Sequence, residues 1–93
     1  MMDQEEKDAG TIAALILRME EYRLPRAIRI HQRVSVGRTL STSDINFLKR
    51  VHDDYQANQA LWLRNPGYSD LMSRFIDLYT EIIAKGFDNE KAR

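Results

Sequence analysis

The chain has no cysteine, which excludes disulfides, iron–sulfur clusters, thiolate zinc sites and thiol nucleophiles. A secreted protein this small would ordinarily need such staples, so the expected compartment is the cytoplasm. Long apolar runs are missing too. The stretch from Ile12 to Leu17 is six residues long before Arg18 interrupts it, shorter than a signal peptide or a membrane span requires. Four scattered glycines build no phosphate-cradling loop. The longest candidate for alternation of period two, Ile28 and Ile30 around Arg29, is too short for a strand. Excess charge is absent as well: 14 basic and 14 acidic side chains cancel, so the whole molecule has no long-range attraction for nucleic acid or anionic lipid.

What is present is helical punctuation. In 93 residues there is room for one domain, and Pro25, Gly37, Pro66-Gly67 and Gly86 divide it into four periodic segments. Residues 1–9, mostly charged and without periodic apolar positions, read as a disordered acidic amino-terminal tail. A single bundle domain is expected over 10–87 and a polar tail over 88–93. The first segment runs from about Thr11 to Arg23, with Ile12, Leu15, Ile16, Met19 and Tyr22 along one face. Leu24 precedes Pro25 and so disfavours α geometry. The second segment starts at Pro25 and ends at Gly37, a left-handed stop.

In the third segment Ser41 and Asp44 form a capping box, and Leu40 and Ile45 a hydrophobic staple. Periodicity then persists to about Arg64. The fourth segment starts between Pro66 and Ser69 and stops at Lys85, with Gly86 after the cap and Phe87 folding back on Ile82 or Ile83. The fold class is therefore all-α: a compact antiparallel bundle of about four helices, with segments three and four as a long hairpin.

Catalytic groups do not converge. Neither His31 nor His52 has a metal-ligating residue three or four positions away, so no helical two-ligand clip exists and no metal or cofactor is expected. Asp53 and Asp54, adjacent to His52, point in different directions on a helix, as do Glu20 and Glu21. His31 falls within the apolar arc of its helix and reads as a half-buried, hydrogen-bonded core histidine. Enzyme function has no residues to rest on.

Two features point to contacts with other macromolecules. Residues 18–38 hold six arginines and no lysine; Arg26, Arg29 and Arg33 share a sector of roughly 60° opposite the apolar arc. Such a stripe suits bidentate bonds to phosphates or carboxylates. The second feature is the apolar arc of the fourth segment, roughly 160° wide where one packing partner needs about 100°. Leu61 lies off the main stripe of the third segment. Leu61, Met72, Ile76 and Ile83 are accordingly the candidate self-association residues, and Arg26, Arg29 and Arg33 the candidate partner-binding ones. The expectation is a non-catalytic interaction or regulatory module, a homodimer through its long helices. The alternative is a regulator that holds an acidic partner or nucleic acid on the arginines, with no membrane partner in either case.

Overall fold

Helix propensity and a single proline decide the first half of the molecule. The computed structural model describes residues 4–92, and within them α1 (Gln4–Arg18) passes through a π-helical turn (Met19–Arg23) into α2 (Leu24–Ser35) without a break. Leu24 keeps α geometry, and its N–H donates to the Met19 carbonyl five residues back. The expected interruption before Pro25 is therefore absent. Proline lacks an N–H and its ring crowds the carbonyl four residues earlier; the wider π turn accommodates both and lets the rod continue. α1 also begins at Gln4, ahead of the expected Thr11, because the Glu-, Lys- and Ala-containing stretch favours helix. Residues 1–3 of the expected tail lie outside the described residues.

α2 ends as the sequence indicates. Gly37 has φ 95°, Arg38 N–H donates to Arg33 O and Gly37 N–H to Val34 O, each at 3.1 Å, the paired bonds of a Schellman stop. Ser41 then caps α3 (Thr42–Ala57) with the full capping box: Asp44 N–H donates to Ser41 Oγ, and Ser41 N–H donates to Asp44 Oδ2, both at 3.0 Å. The long third helix of the sequence reading is interrupted at Asn58, whose Nδ2 donates to the Asp54 carbonyl at 2.7 Å. Asn58 itself leaves helical geometry, at φ −106° and ψ 15°, and α4 (Gln59–Arg64) resumes directly after it. A 3₁₀ turn (Pro66–Tyr68) leads into α5 (Ser69–Lys91).

α5 does not stop at Gly86. That glycine lies inside the helix against Leu40, where a Cβ would sit 2.7 Å from Leu40 Cδ1, so its role is close approach and not capping. The expected polar tail is helical to Lys91, and Asn89 within it is buried. Four of the α-helices have twelve residues or more, and no strand occurs among the described residues.

Among non-adjacent elements, α2 and α5 make the most extensive close backbone approach. Ala27, Ile30, Phe47, Leu48, Val51, Phe75 and Ile82 are buried in one core contributed by α2, α3 and α5. His31 meets Glu81, and further along Asn89 meets Val34 and Arg38, so α2 and α5 run side by side in the same direction. Ion pairs Arg33–Asp44 and Arg23–Asp54 show α3 running opposite to the rod. The body is long and narrow, 57 × 20 × 18 Å.

Candidate interaction surfaces

Residues of α3 and α5, with Leu40 just before α3, border two hollows that follow one another along the helices. An apolar groove results. One end is lined by Leu40, Ile45, Ile83 and Phe87, a hollow of 370 Å³; further along, His52, Tyr55, Ile76 and Tyr79 line a second of 220 Å³. The His52 and Tyr79 rings stack at 5.9 Å across it. Phe87 is 62% exposed and Ile45 51%. Along α5 the charges Arg74, Asp77, Glu81, Lys85 and Asp88 fall within a sector of roughly 80°, leaving the groove side uncharged until Glu90.

Of the four candidate self-association residues, Ile76 and Ile83 line this groove. Met72 also borders its second hollow, but at 5% exposure it is enclosed by its own chain, and Leu61, 7% exposed, lies outside the groove. The sequence expectation placed Leu61 off the buried stripe; it is buried, on the short helix that follows the non-helical Asn58. Ile45 and Phe87 escaped the sequence reading because they were assigned local roles at helix ends. Continuing the helical wheel past Gly86 places Phe87 one turn beyond Ile83, which is the signal that would have found it.

The candidate arginines divide. Arg26 lies 4.5 Å above the Phe47 ring and donates to Ser43 Oγ at 2.9 Å. Arg33 donates to Asp44 Oδ1 at 2.7 Å. Arg29 has no partner among the described residues. Arg26, Arg29, Arg33 and Arg38 border one open hollow together with Asp44. Arg26 also borders a second, where Arg18, Arg23, Arg50 and Tyr22 face Asp53 and Asp54.

Asp44 joins the end of α2 to the start of α3. Burial alone would push its carboxyl up, but hydrogen bonds from Arg33 and Ser41, with the nearby Arg33 charge, outweigh that and hold it below its ordinary value. A depressed folded-state pKa contributes stability that is present above the unfolded value of 3.8 and lost as pH falls through the folded one. Urea midpoints measured from pH 5 downward should therefore drop on the acid side, and Asp44→Asn should be less stable at pH 5 with a flatter acid limb. Identical acid limbs would show that Asp44 carries no such linkage.

His31 is half-buried, with Nε2 3.1 Å from Glu81 Oε2. No group of three His, Asp or Glu side chains among the described residues could hold a metal ion. No helix there is long and apolar enough to cross a membrane. The described residues thus form an all-helical body with an apolar groove between α3 and α5 and an arginine-lined flank where α3 meets the rod. No protein-family model matches the chain, nor does any curated protein or solved structure.

Proposed function

We propose that this chain is a non-catalytic interaction module of the cytoplasm that pairs with a second copy of itself through the α3/α5 groove. The observation that carries the reading is the apolar groove lined by Ile45, Ile76, Ile83 and Phe87, with a single acidic residue, Glu90, at its end. In this reading α3 and α5 are the antiparallel walls of a hairpin, and the second copy supplies the cover that the hairpin lacks.

Area supports that occupant. The chain exposes 6446 Å², whereas a folded monomer of its mass exposes about 5,600 Å². The difference is close to the ~800 Å² each partner contributes to a standard interface. An apolar groove is also its own complement, as a twofold contact requires, since the same patch serves both copies.

Sedimentation equilibrium tests the proposal. The native chain should be a dimer at high micromolar concentration, and Ile83→Glu should weaken pairing at least ~100-fold, because each copy would bury an unpaired carboxylate. Phe87→Glu, at a more exposed position, should do the same with unchanged helicity. A native chain that stays monomeric, or two variants that remain dimeric, would overturn the reading.

A further inference from the structure

We infer that the arginine-lined flank of the α1–α2 rod is a track for single-stranded nucleic acid, running from Arg18 to Arg38 with Tyr22 as a base-stacking ring. It goes beyond the proposed self-association and does not depend on it. The track uses the side of α3 that carries Phe47, Arg50 and Asp54, whereas the groove uses the side that carries Ile45 and His52.

Two adjoining hollows meet at Arg26, and seven arginines line them against three aspartates, with no lysine. Part of this charge is engaged internally. Arg23 pairs with Asp54 and Arg33 with Asp44, while Arg26 is held by Ser43 and the Phe47 ring. Those contacts neutralise two of the three aspartates and fix the walls. Arg18, Arg29, Arg38 and Arg50 are left with no partner among the described residues. A merely solvated face would be served equally by lysine, whereas the planar guanidinium fork matches phosphate oxygens in pairs.

The dimensions favour a chain over a compact anion. From Arg18 to the end of α2 at Ser35 the helical rise gives roughly 25 Å, so an isolated phosphate would reach only one end of the array. A ring decides between polyanions. Tyr22 is 67% exposed and borders the same hollow as Arg18 and Arg50. An acidic peptide has no particular use for that ring, and in a duplex the base faces are hidden. The unstacked bases of a single strand can lie on it whatever their identity.

Fluorescence anisotropy of the full chain with a labelled oligothymidylate of about 15 nucleotides tests the assignment. Four phosphates neutralised on a single strand predict a log–log salt slope of about −3, so affinity should fall about 50-fold between ~50 and ~200 mM salt. Arg29→Gln with Arg38→Gln should halve the slope, with helicity by circular dichroism unchanged because neither side chain has an internal partner. Tyr22→Ala should weaken binding by about 5- to 150-fold and leave the slope as it was. Ile83→Glu, on the other flank, should bind as the native chain does. No retention at ~50 mM salt, or an unaltered slope in the double variant, overturns the site. Polyglutamate binding as tight as the oligonucleotide, or indifference to Tyr22→Ala, assigns the flank to an acidic protein and overturns the nucleic-acid inference.

Discussion

Leu61→Glu should unfold the single chain and not merely separate two copies. Leu61 is 7% exposed, so the substitution removes a packed apolar side chain and places a carboxylate in a site largely closed to water. Losing the buried leucine alone is worth about 2–5 kcal/mol, and an uncompensated buried charge adds several more unless it is protonated or the site opens. A chain of this length has a total stability of roughly 5–14 kcal/mol. Urea denaturation should therefore show a loss of at least about 4 kcal/mol, with helicity reduced at 37 °C. Phe87→Glu, at a groove position 62% exposed, should keep its native midpoint when measured at concentrations where the native chain is also dissociated. A native-like Leu61→Glu would mean that this position faces solvent.

That contrast locates where the sequence was legible. Periodicity identifies Ile12, Met19, Phe47, Leu48, Val51, Phe75 and Ile82 as inward-facing, and all are buried, because a helical wheel needs only a constant phase. It misplaces Leu61, for a wheel of constant phase does not contain the departure of Asn58 from helical geometry, at φ −106° and ψ 15°, three residues earlier. Pro25 misleads for the opposite reason. Its local preference is for a break, yet the π turn before it satisfies the same steric demand within a continuous rod. The capping box of Ser41 and Asp44 was readable since all its partners lie within four residues. Its link to Arg33, eleven residues away, was not, although it removes one candidate arginine from the set free to bind.

Glycine shows the same limit. Gly37 and Gly86 both follow apolar helical runs, and sequence alone assigns them one role. Only Gly37 takes a positive φ. What distinguishes Gly86 is Leu40, a residue from another part of the chain that needs the space a Cβ would fill. The groove was legible as the wide arc of α5, but not its far wall, since that comes from another part of the chain, Leu40 and residues of α3.

The carboxy-terminal residues carry the second large effect. Asn89 Nδ2 donates to Val34 O and to Arg38 O, each at 2.7 Å, so a side chain of α5 completes the end of α2. Val34 O also accepts from Gly37 N–H, but Arg38 O has no second protein donor among the described residues. Asn89→Ala removes both bonds in a buried setting, where each unsatisfied group is worth about 1–3 kcal/mol; with Val34 O still partly satisfied, the expected loss is about 2–3 kcal/mol. Amide exchange should accelerate at both joined places, the turn after α2 and the last turn of α5, while the Phe47–Phe75 region keeps its protection. Asn89→Asp is the sharper test. It preserves size but presents only acceptor oxygens to two carbonyls, so it should be at least as destabilising as alanine. If the aspartate variant is as stable as the native chain, the donor role fails and Asn89 acts by packing alone.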